Sequence, residues 1–488
     1  MLQAILQRTK DFIARVPKEN RKQYGQFFTS DRTALYMAEM FHFDFLKPEI
    51  TLLDTGAGTG ILSAAAVCSL LERGYEGHIH LVCYETDTLV IPILIENLEY
   101  MHQNANLTYR VLTENYITKQ PFDDNNVNLF NQQVNKYDYI IGNPPYLKVS
   151  KDAPEALHMQ QVCHGTPNLY FLFWAMAINN LKENGELVYI VPRSWTSGAY
   201  FARFRKYLFA HSTIQAVHLF VSRDEVFSEE SVLQETMIIK VKRTSQKPKN
   251  INISSCSTVD FSDLTHFQVP YNIVVAQNLY VFLPTNNKEA KVLARINRLS
   301  DTLKTLQVPM HTGLVVDFRE RKALIDEEEP NIETYPLFYS SHISKDGQIV
   351  WPVGKSGEYI HTDRSSLLQS NSNYIFVKRF TSKEEPRRLQ CGVYLSSRYP
   401  QYKYISTQNK INFIECKSLD MLYGVYALLN STLYDQYYRI LNGSTQVNST
   451  EVNAMPIPPA STISKIGAEL SGKPLTTAYC DQIVEKWI

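Results

Sequence analysis

The stretch Thr-Leu-Leu-Asp-Thr-Gly-Ala-Gly-Thr-Gly at residues 51–60 decides the fold of this chain. Its first three residues form a short apolar run that ends at Asp54, and a helical pattern follows over residues 61–72. Glycines between a strand and a helix allow a tight turn and a close approach of the backbone to a ligand. The spacing differs from the Gly-x-Gly-x-x-Gly of dinucleotide-binding enzymes, which disfavours a nicotinamide or a flavin. The pattern predicts a strand, a ligand-binding turn and a helix.

The residues that follow alternate between apolar runs and helical patterns. Apolar runs at residues 80–84, 137–141 and 186–191 predict strands, and periodic segments at residues 93–100, 169–182 and 199–210 predict helices. Repeated alternation of strands and helices is typical of an α/β fold with a doubly wound, mainly parallel, Rossmann-like sheet. The sequence therefore predicts such a domain over residues 1–245.

A change of pattern predicts the end of this first domain. The polar, basic stretch at residues 243–250 is typical of a linker. Beyond it, short mixed segments rich in Tyr, Asn and Ser predict a second, mixed α+β domain over residues 251–459, with a C-terminal tail at residues 460–488. A chain of 488 residues is long enough for two or three domains.

The composition is that of a soluble globular protein, with 44% hydrophobic and 20% charged residues. Lys+Arg and Asp+Glu both number 49, so the total charge indicates no nucleic-acid partner, although DNA binding requires only a local basic face. Seven scattered cysteines without a Cys-x-x-Cys pair predict reduced thiols and neither a disulfide framework nor a zinc site. Because the sequence has no signal-peptide core and no bilayer-spanning apolar stretch, we expect a cytoplasmic protein.

An acidic residue ends each of the first two predicted strands. Asp54 precedes the glycine-rich turn, and Glu85 follows the apolar run at residues 80–84. A carboxylate at the tip of the second strand is well placed to accept hydrogen bonds from the ribose hydroxyls of a nucleoside. The alternative is an ordinary solvated carboxylate at a strand end.

The sequence Asn143-Pro144-Pro145-Tyr146 follows the third predicted strand. An aromatic amino group is a poor nucleophile because its lone pair is delocalised into the ring. The Asn143 side-chain oxygen and the Pro144 carbonyl are two acceptors for its hydrogens, which would turn the lone pair toward an electrophile. The prolines fix φ and hold that carbonyl rigidly, and Tyr146 offers a flat face for an extruded base. The alternative is a Pro-Pro turn that merely closes a strand.

With these motifs, the chain resembles the amino-methyltransferases that modify adenine in DNA, particularly the gamma-class enzymes of type II restriction–modification systems. Those enzymes carry a Gln-x-x-Thr segment before the glycine-rich loop, and Gly-Gln-Phe-Phe-Thr at residues 25–29 matches it. The resemblance implies S-adenosylmethionine as cofactor. It assigns cofactor binding to Phe28, Thr29, Asp54, Gly56, Gly58, Glu85, Asn115 and Tyr116. Asn115 stands where the family often has an aspartate that contacts the cofactor's adenine, so an amide oxygen would accept that hydrogen bond.

The resemblance extends to two further regions. Phe227 falls where the family has a second aromatic residue against the flipped base, opposite Tyr146, although an ordinary core Phe is the alternative. Segments of the second half resemble a subgroup that includes methylases paired with nucleases cutting CTGCAG, and the family places its target-recognition domain there. The predicted DNA contacts are Lys378, Arg379, Lys383, Arg387 and Arg388 to phosphates or guanine, and Gln446 and Asn448 to adenine edges. The alternative is a solvated charged face in which Glu384 and Glu385 pair with their basic neighbours.

The resemblance implies a site-specific DNA methyltransferase that modifies the N6 amino group of a flipped adenine in double-stranded DNA. Such an enzyme protects the site from a separate restriction endonuclease. Asn-Pro-Pro-Tyr also occurs in protein-glutamine and RNA methyltransferases, and a catalytically inactive DNA-binding relative is a further alternative. More than 200 residues after the catalytic core favour a large polymer whose sequence must be read. We expect a monomer that needs no metal, contains no nuclease and does not bind membranes.

Overall fold

The computed structural model describes residues 1–15, 29–122, 135–220, 236–257, 261–328, 332–382, 385–442 and 445–488. The chain divides into two compact units, Met1–Thr285 and Asn286–Ile488. The first unit contains a nine-stranded sheet, and the second contains a four-stranded and a five-stranded sheet.

One sheet forms the centre of the first unit. Its strands are β1 (Glu49–Asp54), β2 (His78–Tyr84), β3 (Leu107–Leu112), β4 (Tyr137–Gly142), β5 (Leu181–Pro192), β6 (Thr213–Phe220), β7 (Thr236–Lys242), β8 (Asn250–Cys256) and β9 (Thr265–Pro270). They lie in the order β3-β2-β1-β4-β5-β7-β6-β8-β9. The strands from β3 to β5 are parallel, whereas β7 runs antiparallel to β5 and β6. The predicted doubly wound, mainly parallel sheet is confirmed.

Helices connect most of these strands. They are α1 (Leu2–Arg15), α2 (Asp31–Glu39), α3 (Ile61–Glu72), α4 (Ile91–Asn104), α5 (Pro154–His158), α6 (Leu169–Asn180), α7 (Ala202–His211) and α8 (Tyr271–Val274). Ser30 and Asn168 cap α2 and α6 by accepting hydrogen bonds from backbone N–H groups of the first turn. The predicted helix at residues 61–72 is confirmed, and it is buried from Ile61 to Leu70 because its sequence is apolar or small on every side.

The boundary between the units differs from the predicted one. Residues 243–250 connect β7 to β8 inside the first unit and are not a linker between domains. Because β8 pairs with β6 and β9 pairs with β8, the chain as far as Thr285 belongs to the first unit. A polar stretch indicates an exposed connection, and only the strand pairing beyond it shows whether the sheet continues.

The end of α6 also differs from the prediction. The helix ends at Asn180, and β5 begins at the next residue, Leu181. Asn184 has a φ of 63°, a left-handed conformation in which Asn is enriched. The helix predicted over residues 169–182 is thus two residues shorter, and the Asn-Gly pair at residues 184–185 lies at an irregularity within β5.

Two sheets form the second unit. Its strands are β10 (Met310–Thr312), β11 (Leu324–Ile325), β12 (Tyr335–Phe338), β13 (Tyr359–Ile360), β14 (Gln369–Ser370), β15 (Tyr374–Lys378), β16 (Cys391–Tyr394), β17 (Tyr404–Thr407) and β18 (Ile411–Glu415). One sheet has the order β10-β18-β15-β16 and the other the order β11-β13-β12-β17-β14. Phe338, Trp351, Phe376 and Tyr394 belong to a largely aromatic core cluster. The predicted mixed α+β architecture is confirmed.

The helices of the second unit account for the predicted tail. They are α9 (Asn287–Asn297), α10 (Leu419–Leu429), α11 (Thr432–Leu441), α12 (Ser449–Asn453), α13 (Ala460–Leu470) and α14 (Thr477–Trp487). A Cβ at Gly424 would lie 2.1 Å from the Ile463 carbonyl, and one at Gly467 would lie 1.7 Å from that of Asp420. α10 and α13 therefore pack with their backbones in contact. Residues 460–488 are part of the core of this unit and not a separate tail.

No helix among the described residues is long and apolar enough to cross a bilayer. All seven cysteines are buried free thiols.

A buried ion pair fastens the segment after α2 to the sheet. Lys240 and Glu186 are 1% and 7% exposed, and their charged atoms lie 2.8 Å apart. The Lys240 ammonium also donates to the Met40 carbonyl, and the Glu186 carboxylate accepts from the His42 N–H. The two buried charges therefore form an ion pair, and each also forms a hydrogen bond with a backbone group.

We expect Lys240→Met to lower the free energy of unfolding by about 3–5 kcal/mol, because it leaves the Glu186 carboxylate buried without its cation. The double variant Lys240→Met/Glu186→Gln should recover a large part of that loss. Urea unfolding followed by circular dichroism measures both. A double variant as unstable as the single one would show that the unpaired charge is not the cause.

Candidate functional site

A cavity of about 250 Å³ lies at the carboxyl ends of the parallel strands β1, β2 and β4. In open α/β sheets, ligands bind outside these strand ends, where the strand order reverses. The lining residues are Thr29, Thr55, Gly56, Ala57, Gly58, Thr59, Ile61, Leu62, Tyr84, Glu85, Thr86, Glu114, Asn115, Tyr116, Asn143, Pro145, Leu147, Glu155, Leu169 and Phe173. The predicted glycine turn, Glu85 and Asn143 therefore face one space.

The glycine turn is held against the end of β2. The Ala57 N–H donates to the Tyr84 carbonyl at 2.8 Å, and the Gly60 N–H donates to the Ala57 carbonyl at 2.8 Å. Gly58 and Gly60 have φ values of 54° and 86°, which other residue types rarely adopt. Gly60 leads directly into α3. These two glycines are required by the backbone conformation of the turn.

The Glu85 carboxylate is bound by backbone N–H groups. Oε1 accepts from Thr86 and Asp87, each at 2.8 Å, and Oε2 accepts from Gly58 at 2.9 Å. The residue is 8% exposed, and this burial raises its pKa above the ordinary value. The alternative of a solvated carboxylate is therefore wrong. The three bonds leave acceptor capacity on Oε2.

Asp54 lies behind the turn and does not line the cavity. It is 0% exposed, and Oδ2 accepts a hydrogen bond from the Ser63 hydroxyl at 2.8 Å. Among the described residues, Oδ1 has no hydrogen-bond partner. Burial raises the pKa of this carboxyl to about 7. The residue predicted to touch the cofactor is thus placed one layer away from the cavity.

Asn143 follows the last residue of β4, and its amide nitrogen donates to the Thr29 hydroxyl at 3.2 Å. Thr29 ends the Gln-x-x-Thr segment, so this bond joins two motifs that are 114 positions apart. A Cβ at Gly142 would lie 2.7 Å from the Thr55 hydroxyl, so only glycine fits before Asn143. The structure therefore directs one end of the Asn143 carboxamide toward Thr29.

Tyr146 does not present an open face, contrary to expectation. Its side chain is 9% exposed, its hydroxyl donates to the Ile190 carbonyl at 3.1 Å, and its ring meets that of Tyr170 edge-on. It is not among the residues that line the cavity, although Asn143 and Pro145 are. Pro144 is buried as well. In the Asn-Pro-Pro-Tyr motif, the polar side chain of Asn143 is therefore accessible from the cavity, whereas the ring of Tyr146 is packed against other residues.

Asn115 and Tyr116 both line the cavity, but the Asn115 oxygen is already used. It accepts hydrogen bonds from the N–H groups of Ile117 at 3.0 Å and Thr118 at 3.1 Å. The amide nitrogen donates to Glu155 at 2.7 Å. The predicted role of this oxygen as acceptor for an adenine amine is therefore wrong. Tyr116 is 2% exposed, and its hydroxyl donates to Asn180.

Comparison with known proteins identifies the family. The model of the Eco57I restriction-modification methylase matches residues 75–227. The chain is 32% identical over 482 residues to the type II methyltransferase M.PstI of Providencia stuartii, covering 96% of this chain and 93% of that protein. It is also 32% identical over 470 residues to the type II methyltransferase M.BsuBI of Bacillus subtilis, covering 92% and 90%. The chain belongs to the type II restriction–modification methyltransferases.

Solved structures agree with this methyltransferase in fold. The type IIL restriction-modification enzyme MmeI, in complex with DNA, has a TM-score of 0.54 at 12% identity, covering 100% of this chain and 74% of that one. A nuclease-deletion mutant of the type ISP enzyme LlaGI, with a DNA substrate mimic, has a TM-score of 0.53 at 13% identity, covering 91% and 47%. At these identities the likeness concerns the fold alone.

Several predicted residues lie outside the described part of the methyltransferase. These are Phe28, Phe227 and Lys383. Their predicted roles in cofactor binding, base stacking and DNA binding therefore stay predictions. Within the described residues, no group of three or more His, Cys, Asp or Glu is arranged to hold a metal ion.

The predicted basic cluster of the second unit has a buried part. Arg388 is 0% exposed, and its Nε donates to the Thr381 hydroxyl at 3.1 Å. Its predicted contact with DNA is therefore wrong, because the guanidinium is enclosed and serves the packing of this unit. Half-buried Arg387 donates to the carbonyls of Leu429 and Ser431 at the end of α10.

The other predicted DNA-binding residues of this methyltransferase are brought together. Phe380 forms an antiparallel bridge with Gln446, and the Val447 N–H donates to the Arg379 carbonyl at 2.7 Å. The Arg379 N–H in turn donates to the Lys410 carbonyl at 2.9 Å. We define the basic surface as Lys378, Arg379, Phe380, Lys410 and Gln446. Asn448, two residues beyond Gln446, directly precedes α12.

Sequence reasoning missed Glu155, Phe173 and Glu114 as lining residues. Glu155 comes from the five-residue helix α5, and Phe173 from the apolar helix α6. Neither stands at the end of a strand, and neither belongs to a recognisable motif. Only the tertiary structure places them opposite the glycine turn.

The raised pKa of Asp54 predicts a specific dependence of stability on pH. The folded protein keeps the Asp54 proton up to about pH 7. The unfolded chain releases it near pH ~4. Because the folded state binds the extra proton within this window, the contribution of Asp54 to stability falls as the pH rises through it.

We expect the free energy of unfolding of Asp54→Asn to fall less than that of the wild type between pH 5 and pH 8. The difference should be about 3 kcal/mol, because the folded state holds the extra proton over about two pH units of this range. Urea unfolding at both pH values measures it. Asp152→Asn, at an exposed position, serves as control and should behave as the wild type. Parallel behaviour of Asp54→Asn and wild type would contradict the raised pKa.

Proposed function

We propose that this DNA methyltransferase transfers a methyl group from S-adenosylmethionine to the N6 amino group of a flipped adenine in double-stranded DNA. The observation that carries the proposal is the position of Asn143, whose amide nitrogen is bound to Thr29 at the edge of the cavity. This bond sets the orientation of the carboxamide. Its oxygen then supplies the hydrogen-bond acceptor that an amino group requires.

The residues of the cavity fit S-adenosylmethionine. Among the described lining residues, the acidic side chains are those of Glu85, Glu114 and Glu155, and there is no Lys, Arg or His. Carboxylates match the ribose hydroxyls and the positive charges of the sulfonium and ammonium groups. Tyr84 and Phe173 provide aromatic surface for a purine. When bound, the cofactor supplies an electrophilic methyl group.

Asn143 and Pro144 act on the target amine. The Asn143 oxygen and the Pro144 carbonyl accept its two hydrogens and hold the nitrogen out of conjugation with the ring. The preorganised acceptors do not need to reorient during the reaction, since the prolines and Thr29 hold them. The methyl group would pass directly from sulfur to this nitrogen without a covalent bond to the enzyme, and the nitrogen would then release one of its two protons to solvent. The stacking role of Phe227 stays a prediction, whereas the packed ring of Tyr146 offers no open face to a base.

Two other substrate classes share this chemistry. A glutamine side chain in a protein and a base in RNA also carry planar amino groups. Likeness to type II methyltransferases over 96% of the chain, which includes most of the second unit, favours DNA. A test on all three acceptors separates these functions.

We expect labelled S-adenosylmethionine to transfer label to duplex DNA and not to RNA or to a glutamine-containing protein. The product should be N6-methyladenine, detected by mass spectrometry, and sequencing of the modified positions should give one recognition site. A duplex with CTGCAG tests the predicted site. Label on protein or RNA alone would disprove the proposal, and so would methylated cytosine.

Asn143→Ala should remove most turnover while leaving affinity for S-adenosylmethionine within about twofold, because Asn143 serves the target amine. Calorimetric titration and methylation assays measure the two quantities. Asn104→Ala is the matched control, since exposed Asn104 ends α4 and lies at the opposite edge of the sheet. Unchanged turnover in Asn143→Ala would refute the proposed role.

We also propose that the basic surface of the second unit contacts DNA. Lys410 is exposed, Lys378 is half-buried, and Phe380 is 46% exposed beneath the Arg379 guanidinium. Cationic groups bind phosphates, and an exposed aromatic ring next to them offers a flat surface for a base or sugar. The fold joins segments 378–381 and 445–447 into this one surface.

We expect Lys378→Ala/Lys410→Ala to weaken DNA binding and to reduce the slope of log affinity against log salt by about 2, because each lost phosphate contact removes about 0.9. Fluorescence anisotropy at several salt concentrations measures this slope. The matched control is Lys417→Ala/Lys473→Ala, which removes two exposed lysines from other segments of the same unit. Equal slopes for the two double variants would exclude the basic surface.

A further inference from the structure

Glu155 and Asn115 form a hydrogen-bonded pair in the wall of the cavity. Glu155 projects from α5, and its Oε1 accepts from the Asn115 amide nitrogen at 2.7 Å. Both residues line the cavity, together with Phe173 and Leu147. The pair thus lies beside the apolar surface that would hold a flat ring.

The direction of every hydrogen bond in this pair is fixed. The Asn115 oxygen accepts from the backbone N–H groups of Ile117 and Thr118, so the carboxamide turns its nitrogen toward Glu155. That nitrogen has a second N–H, and the described residues offer no hydrogen-bond partner to Glu155 Oε2. The pair therefore presents one donor next to one acceptor.

We propose that Glu155 and Asn115 select the adenine base of the cofactor. This inference rests on the proposed use of S-adenosylmethionine. The Watson–Crick edge of adenine has an amino donor at N6 beside an acceptor at N1. Glu155 Oε2 accepts from N6, and the second N–H of Asn115 donates to N1. In hypoxanthine the order is reversed, with an oxygen at C6 and an N–H at N1, so both contacts become repulsive.

The pair explains how an amide at residue 115 remains compatible with adenine recognition. The negatively charged acceptor is Glu155 on α5, and not the residue at position 115 after β3. A site built around buried polar contacts rejects a ligand that cannot make them, because the groups of the site lose their partners. Selection for adenine is therefore a property of Glu155 and Asn115 jointly.

Calorimetric titration of the full chain with S-adenosylhomocysteine and with its deaminated analogue, S-inosylhomocysteine, tests the proposal without any turnover. We expect the wild type to prefer the adenosyl compound by about 100-fold or more. Glu155→Gln should reduce this preference at least about tenfold, because a carboxamide can also donate to the oxygen of the inosyl base. Glu114→Gln removes the same charge from the same cavity and should change both affinities in parallel, leaving the preference intact.

The double variant Asn115→Asp/Glu155→Gln returns a carboxylate to the pair at the other position. Donor and acceptor then exchange places and match the edge of hypoxanthine, so this variant should prefer the inosyl compound; thermal unfolding midpoints verify that each variant is folded. A wild-type preference in Glu155→Gln, or a stronger adenosyl preference in the double variant than in Glu155→Gln, would overturn this inference while leaving the proposed function in place. Failure of the wild type to bind S-adenosylhomocysteine would instead overturn the proposed function.

Discussion

The carboxylate of Glu85 fixes the geometry on which the site depends. It accepts from the Gly58 N–H in the glycine turn and from Thr86 and Asp87 after its own strand. One side chain therefore fastens the end of β1 to the end of β2. Together with the Ala57 N–H, which donates to the Tyr84 carbonyl, this link sets the distance of the turn from the end of β2. The buried Glu85 carboxylate is bound by backbone N–H groups and not by a cationic side chain of the described residues. These hydrogen bonds fix the shape of this side of the cavity.

The sequence determines the backbone of the site more completely than the partners of its side chains. The apolar run before Asp54, the glycines and the apolar helix α3 are local patterns, and the structure places them as predicted. Asn143 directly follows β4, which is buried over its whole length, so a local apolar pattern also sets its position. The bond from Asn143 to Thr29 and the bond from Asn115 to Glu155 join residues that are 114 and 40 positions apart. No local pattern specifies such pairs.

The basic cluster of the second unit shows a related limit of sequence reasoning. A run of charged residues predicts a solvated face, but the chain around Arg387 and Arg388 turns inward. Each guanidinium has five N–H donors, which suits it to bind the carbonyls and hydroxyls that helix ends leave without partners. Arg388 is enclosed and reaches Thr381, whereas Arg387 and Arg379 are only half-buried and donate to the carbonyls of Ser431 and Asn409. Burial therefore separates residues that the sequence places in one group.

The buried charges at the cavity affect both the stability of the folded protein and its affinity for a ligand. Asp54 and Glu85 are both buried carboxyls, and each has a raised pKa, to which their mutual repulsion contributes for Asp54. The described lining residues include no basic side chain that would neutralise them. On the proposed function, the cofactor brings a sulfonium and an ammonium group into this field. A ligand that binds the folded state and carries a compensating positive charge also stabilises that state. The unfavourable burial of Glu85 in the wall of the cavity, with Asp54 one layer behind it, thus becomes a source of affinity for a cationic ligand.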